Sequence, residues 1–366
     1  MDAKTDGGVE ETAAGAEDAA GAGVTYPYST APAPGETIEL APGVHWHRTP
    51  LPFKLNHINL WLIEDGDGWI VVDCGFGLDD TKEAWRRIFA EPMEGRPITR
   101  IIVTHYHPDH MGLAAWLAAI SGAEVMMTEI EWQTAQDAFD GVTNDVTPWT
   151  AFYRSHGLDP SYDETIRLRG NTYRRGVPEL PAATVPMKDA DEIALGGHDW
   201  RVIVGRGHAP EHAALYCQDL NVLISGDQIL PRITPNISLR YFDADADPLG
   251  LYLASFAPFR PLPADVFVLP SHNLPFHGLG PRIDQILRHH DDRLKTVLDN
   301  CDTPVTAADL IPHLFKRKLD AHGVSFAMGE CLAHIRHLEL KGRLKRITGD
   351  DGIHRFVRSD RGPARP

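Results

Sequence analysis

Residues 104–110 read Thr-His-Tyr-His-Pro-Asp-His, which puts three imidazoles and one carboxylate within six consecutive positions. The block follows ITRIIV, an apolar run of the buried-strand type, so it forms a loop at a strand end. Packing alone has no use for four such side chains in a row. Imidazole suits zinc and iron(II), and a carboxylate adds a hard, charged donor. In an extended loop His105 and His107 can converge on one ion, while Asp109 and His110 can face a second. Four side chains cannot complete two coordination shells, so the fold must bring further donors from elsewhere.

Three later segments offer them. His208 lies in RGHAPEH after the strand-like WRVIVG, Asp227 ends NVLISGD, and His272 directly follows DVFVLP. Each stands just past an apolar run, so all could gather at one edge of a layered α/β fold, and a carboxylate at 227 could bridge two cations. His277, in PFHGLG, is the rival to His272 but is further from its strand. His212, four residues after His208, is expected to support the site or serve a structural role.

These motifs, together with Asp73 in VVDCG, resemble the metallo-β-lactamase-fold metallohydrolases, in that family's order over roughly residues 40–280. The resemblance implies a four-layer αβ/βα sandwich. It implies that His105, His107 and His208 hold a first metal, that Asp109, His110 and His272 hold a second, and that Asp227 bridges them. Asp73 would steady the histidine loop from outside the coordination shell. The C-terminal part resembles the winged-helix appendage of the β-lactamase-like-2, glyoxalase-II-like subgroup, through its helix–helix–helix–hairpin order and phrases such as HIRHLELKGRLKR. The chain departs from the pattern in three ways. It has Pro-Ser-His-Asn around His272 where Pro-Gly-His-Gly is commoner. It carries an insertion at 131–185. It lacks a recognisable helical pair for glutathione.

The remaining sequence organises around this core. Residues 1–30 begin with an Ala/Gly/acid-rich stretch, with six Asp/Glu against Lys4 in the first 24, and read as a disordered tail. Residues 31–280 form the catalytic domain, with 131–185 as a helical, aromatic-rich lid containing Arg167, Arg169, Arg174 and Arg175. Structural pairing of this basic run with acidic neighbours is favoured over substrate binding. Glu64-Asp65-Gly66-Asp67-Gly68 reads as a hairpin turn, since Asp-Gly supplies the positive φ such turns need. Helices are expected over 79–89, 111–121, 252–259, 282–299, 307–321 and 327–342, and a terminal hairpin over 344–357. Residues 281–366 contain sixteen Lys/Arg against twelve Asp/Glu, whereas the chain as a whole is at −16. That asymmetry supports a boundary near 281 and a winged-helix-like C-terminal domain. His289 and His290, on a charge-rich helix, are expected to be solvated.

The expected function is metal-dependent hydrolysis with two divalent cations, zinc first and iron or manganese as alternatives. Such a pair acidifies a shared water and polarises the scissile carbonyl or phosphoryl oxygen. Asp109 is the expected catalytic residue, orienting the nucleophile and taking its proton. GxSxG is absent, and no serine or cysteine nucleophile stands out. A small acyl substrate, an ester or thioester, is favoured. Alternatives are a phosphodiesterase or endoribonuclease, a mononuclear iron oxygenase of the persulfide-dioxygenase type, and a non-catalytic DNA-binding sensor. The acidic balance disfavours nucleic acid, although Lys341, Arg343, Lys345 and Arg346 keep it open. Four scattered cysteines, no secretory-type start and no apolar run near 18 residues point to a cytoplasmic protein away from membranes.

Overall fold

The computed structural model describes residues 23–164, 171–316 and 318–359. Most of the acidic tail, and Arg167 and Arg169 of the basic run, lie outside the described residues. The tail expected through residue 30 ends earlier. Val24 is buried, Thr25 exchanges backbone hydrogen bonds with His277 at 3.1 and 2.9 Å, and Tyr28 stacks on Phe267. Apolar VTYPY has surface to bury, unlike the Ala/Gly stretch before it.

A seven-stranded sheet has the order β1 (Thr37–Ala41), β2 (Val44–Pro50), β3 (His57–Asp65), β4 (Gly68–Val72), β5 (Ile98–Ile102), β6 (Glu124–Thr128) and β7 (Val185–Met187). Its first half is antiparallel, with the β3–β4 hairpin turning on Gly66-Asp67 as the sequence implies. From β4 onward the pairing is parallel, because helices Asp79–Ala90 and Ala114–Ser121 provide the crossovers. A five-stranded sheet follows, ordered β12 (Phe267–Pro270), β11 (Val222–Gly226), β10 (His212–Cys217), β9 (His198–Gly205) and β8 (Glu192–Leu195). Its only parallel pair is β11–β12.

Three buried apolar layers follow from this arrangement. Trp46, Trp61, Val72, Ile102, Trp200, Val204, Leu215 and Ile224 fill the space between the sheets. Trp85, Ile88, Leu117 and Ala135 cover the outer face of the first sheet, and Tyr252, Phe256, Ile283 and Ile286 that of the second. The result is the helix–sheet–sheet–helix sandwich.

The C-terminal segment has helices Leu279–Asp299, Ala307–Leu314 and Ala321–Leu340, then a hairpin of β13 (Leu344–Thr348) and β14 (His354–Arg358). Its buried side chains, among them Met328, Cys331, Leu332 and Phe356, form one continuous core with the outer face of the second sheet. Several helix limits differ from those expected. The helix placed at 252–259 runs from Pro248 to Ala254, because Asp247 caps Gly250 and Pro248 opens the first turn. The helix expected over 307–321 ends at Leu314, and the one expected from Ala327 begins at Ala321, where the Asp320 side chain accepts from Gly323 N–H and starts it. His290 is buried rather than solvated, at 1% exposure, and His289 is half-buried.

The 131–185 insertion ties two cores together. Trp132 and Phe139 pack beneath the first sheet's helices, whereas Trp149, Phe152 and Tyr153 pack into the C-terminal core. Arg174 lies 4.0 Å above the Phe139 ring and 3.6 Å from the Asp140 carboxylate. Among the described residues, no helix is long and apolar enough to cross a membrane. All four cysteines are free and buried.

Candidate metal centre

Parallel strands end at the same edge, and that brings the donors together. Asp73 follows β4 and Thr104-His105 follow β5 in the first sheet; Asp227 follows β11 and His272 follows β12 in the second. His208 lies on the β9–β10 loop. The two edges are joined by backbone hydrogen bonds, Ala213 N–H to Thr104 O at 2.8 Å and Asn59 N–H to Ser271 O at 2.7 Å.

Local conformation then sorts the block at 105–110. Pro108 fixes φ at the start of a one-turn helix, Pro108–Met111, which carries Asp109 and His110 into a second donor group while the His110 ring stays 4.0 Å from that of His105. The helix expected from Met111 breaks at Leu113 (φ −105°, ψ 13°) and resumes at Ala114, and Gly112 packs so closely that a Cβ there would be 2.4 Å from the Gly176 carbonyl oxygen. Two residues beside the site, Asp73 (φ 64°) and Asn273 (φ 70°), take the left-handed conformation that Asp and Asn tolerate better than most. Asn273 thus fills the place a glycine would take in the commoner motif. His57 helps to hold it there: its Nε2 accepts from Asn273 N–H at 2.9 Å.

Donor atoms of His105, His107, His208 and Asp227 all lie within 4.8 Å of one another, as do those of Asp109, His110 and His272. His105 Nε2 is 2.8 Å from His107 Nδ1, which is 3.0 Å from His208 Nε2. Asp227 stands between the groups. Its Oδ2 is 3.4 Å from His208 Nε2 and 3.5 Å from His110 Nε2, and its Oδ1 is 3.3 Å from His272 Nε2. Asp109 Oδ2 is 3.4 Å from His272 Nε2. His277 lies apart, its Nδ1 donating to the Asp265 carbonyl at 3.0 Å.

On four of the five rings the nitrogen facing away from the cluster is hydrogen-bonded. His110 Nδ1 meets Asp73 Oδ2 at 2.7 Å, His208 Nδ1 donates to Asn236 O at 2.9 Å, and His272 Nδ1 donates to His57 O at 2.9 Å. His105 Nδ1 is 3.1 Å from Thr104 Oγ1, which donates to the Asp73 carboxylate. Each of these four rings is thereby fixed with its Nε2 turned inward. That is the outer-shell pattern of metal-binding histidines. His212 touches the cluster from behind, its Nε2 accepting from Asp227 N–H at 3.0 Å. Gly226 makes room for it, since a Cβ there would be 2.2 Å from that nitrogen.

The donor set fits divalent cations. His110 Nε2 and Asp227 Oδ1 are buried and, although 3.5 Å from Asp227 Oδ2 and 3.3 Å from His272 Nε2 respectively, make no well-formed hydrogen bond among the described residues, which is costly unless something charged lies between them. Burial, then the neighbouring imidazoles, hold His105 well below the usual histidine range. Burial acts against charge on His272 as well, but Asp227 and Asp109 outweigh it and push that ring up to about 10. Burial likewise opposes the Asp227 carboxylate, yet His272 and His110 hold it well below the usual range. The rings therefore include neutral donors beside committed anions, a combination suited to a cation.

One residue of the site carries a sequence signal that points elsewhere, since Thr128-x-x-Glu131 reads as a helix capping box. Glu131, fully buried at the start of the insertion, accepts from Tyr106 N–H at 2.9 Å with one oxygen and from Glu211 N–H at 2.6 Å with the other. It thereby staples the 105–110 loop to the 206–212 loop. Burial pushes its carboxyl up to about 7 against these two bonds. Tyr173 adds a further tie, donating its hydroxyl to Tyr106 O at 2.7 Å.

Comparison with known proteins agrees with this geometry. Residues 54–272 match the metallo-beta-lactamase superfamily domain, and residues 294–359 match the metallo-beta-lactamase-like C-terminal domain. The chain is similar to a beta-lactamase domain protein from Burkholderia ambifaria, with 41% identity and a TM-score of 0.85, over 92% of this chain and 98% of that one. It is 25% identical over 274 residues to a linear primary-alkylsulfatase of Pseudomonas sp., covering 69% of this chain and 50% of the sulfatase. It is 26% identical over 199 residues to a human acyl-coenzyme A thioesterase, covering 52% of this chain and 64% of the thioesterase. The chain thus spans half to two thirds of the length of these two relatives. A sandwich of this topology, a histidine–aspartate cluster at its strand-end edge and a domain match over most of the chain agree: the chain belongs to the metallo-beta-lactamase superfamily.

Proposed function

We propose that this protein hydrolyses an ester or thioester of a small molecule with two divalent cations, zinc in the first instance. His105, His107 and His208 would hold one cation, and Asp109, His110 and His272 the other. The position of Asp227 carries this reading: one buried carboxylate lies within 3.5 Å of histidines from both groups. Bound there, two cations supply a water acidified toward neutrality and a Lewis acid for the scissile oxygen. The protein's own groups do the rest. Asp109, less buried than Asp227, would orient the attacking water and accept its proton. Asp73, Asn236 and His57 hold the rings in register through Nδ1, and Glu131 and His212 keep the loops together. Support for the acyl preference comes from the thioesterase relative and from the acidic balance outside residues 281–366.

Two further expectations belong to the same reading. The C-terminal segment is winged-helix-like, its helices and hairpin joined by a bridge from Val305 to Phe356. A reducing, cytoplasmic setting suits the four free, buried cysteines.

Protein purified without chelator should contain two transition-metal ions per chain and turn over small thioesters or esters, and the turnover should disappear with the metal. A panel of thioesters, carboxylate esters, alkyl sulfates and single-stranded RNA tests the bond. Cleavage of alkyl sulfates alone would move the assignment toward the sulfatase relative. Efficient RNA cleavage that is lost when Lys341, Arg343, Lys345 and Arg346 are reversed to Glu would make it a nuclease. One tightly held iron with oxygen uptake would make it an oxygenase.

A further inference from the structure

Accepting His208 as a metal ligand, we infer that the C-terminal segment is a positioning part of the metal centre, acting through Glu330 and Asn236. The segment after Asp227 runs through Leu230–Leu239 with no regular strand or helix, yet it supplies the Asn236 carbonyl that fixes His208 Nδ1 at 2.9 Å. Something must hold that carbonyl in place.

Two C-terminal helices do so. From helix Leu279–Asp299, Arg282 donates to the carbonyls of Leu230 and of Ile233, the latter at 2.7 Å. From helix Ala321–Leu340, the Gly329 carbonyl accepts from Leu239 N–H at 3.0 Å, and Glu330 Oε2 accepts from Asn236 Nδ2 at 3.3 Å. Gly329 is required for this approach, since a Cβ there would be 2.6 Å from Ser238 Oγ. Glu330 is only 3% exposed, and its other oxygen accepts from Arg293 Nη2 at 2.6 Å. The chain of contacts therefore runs from Arg293 to Glu330, to the Asn236 side chain, to the Asn236 carbonyl and to His208. A carbonyl so anchored keeps the His208 proton on Nδ1 and the Nε2 lone pair directed at the cluster. Losing such an outer contact costs metal affinity about 10–100-fold.

The consequence is specific to one group of donors. His272 is backed by His57 and His110 by Asp73, both from the first sheet, and neither depends on this path.

Zinc affinity measured by chelator competition on the full chain tests the inference without using turnover. Asn236→Ala and Glu330→Gln should weaken one of two zinc ions by about 10–100-fold and leave the other within about threefold. Asp247→Asn is the control. It takes the charge from the 3.0 Å contact that Asp247 makes with His337, which is on the same helix as Glu330 but outside the path, and should change neither ion. Metal-free protein gives a second readout, the ring-nitrogen NMR signals of His208. They should show a single Nδ1–H form in the wild type and a mixture in Asn236→Ala. Equal weakening of both ions, the same loss in Asp247→Asn, or unchanged affinity in both test variants would overturn the inference. A wild type that binds no zinc would sink the ligand assignment of the preceding section. Even then the ring signals decide this inference, because an unchanged His208 form in Asn236→Ala rejects it.

Discussion

The molecule buries histidines in two places and puts them to opposite uses. At the strand-end edge, five rings surround Asp109 and Asp227, and His110 is further backed by Asp73. In the C-terminal core, His290 Nδ1 is 3.2 Å from His334 Nε2, and His334 Nδ1 donates to the Glu330 carbonyl at 2.8 Å. The residue type and the burial are alike, but among the described residues no carboxylate is hydrogen-bonded to the second pair. Burial and then the neighbouring charges hold His334 down at about 3, whereas carboxylates raise His272 to about 10 despite its burial. A buried imidazole gains a use for charge only where anions face it. Without them it is a neutral packing group held by hydrogen bonds.

The sharpest way to break this contrast is to remove the shared anion. Asp227→Ala should lose metal from both donor groups, seen by elemental analysis, and lower turnover by more than about 10³-fold. Retention of one full equivalent would show that the two groups do not depend on a common carboxylate.

His272→Ala should reduce turnover by roughly 10²-fold and weaken one ion, whereas His277→Ala should stay within about threefold. The reverse ranking would mean that the carboxylate-facing ring is not the working one.

Glu131→Gln probes the staple. An amide offers one oxygen where two backbone N–H groups need acceptors, so one donor faces an NH₂. A stability loss of about 1–3 kcal/mol in urea unfolding is expected, together with weaker metal binding. Unchanged stability would show that the loops do not rely on this residue.

The smallest effect concerns the metal-free pair. With a folded-state pKa of about 3 and an unfolded value near 6.5, His334 is protonated first in the unfolded chain as pH falls. Its contribution is present above pH 6.5 and is lost progressively between there and about 3. Moving from pH 7 to pH 5 should therefore cost about 2 kcal/mol from this group in metal-free protein. His334→Gln should flatten that slope while leaving metal content unchanged. A fall in metal content would erase the distinction between the two clusters.

How far the site was legible depended on the distance over which each contact acts. The block at 105–110 was readable because its spacing and the strand before it are local, and Asp227 and His272 because each follows its own apolar run. His290 was misread because neighbouring charges on the Leu279–Asp299 helix mask a buried face that only the partner helix defines. The local signature of Glu131, the third residue after the N-cap Thr128, reads as a helix cap and says nothing of the site. The residue's meaning lies in two amides, 25 and 80 residues away. Helix limits at Asp247-Pro248 and Asp320 were readable in principle, since both are capping residues, but the apolar pattern alone placed them several residues off.

By itself the sequence determined the donor types, their order and their placement after strands, because those depend on side-chain chemistry and short-range periodicity. The tertiary structure decided which nitrogen of each ring faces inward. The carbonyl that fixes His272 comes from His57, 215 residues away, and the one that fixes His208 comes from Asn236. Sheet pairing and helix docking bring those acceptors into place, and a hydrogen bond formed across such separations leaves no periodicity in the chain to read.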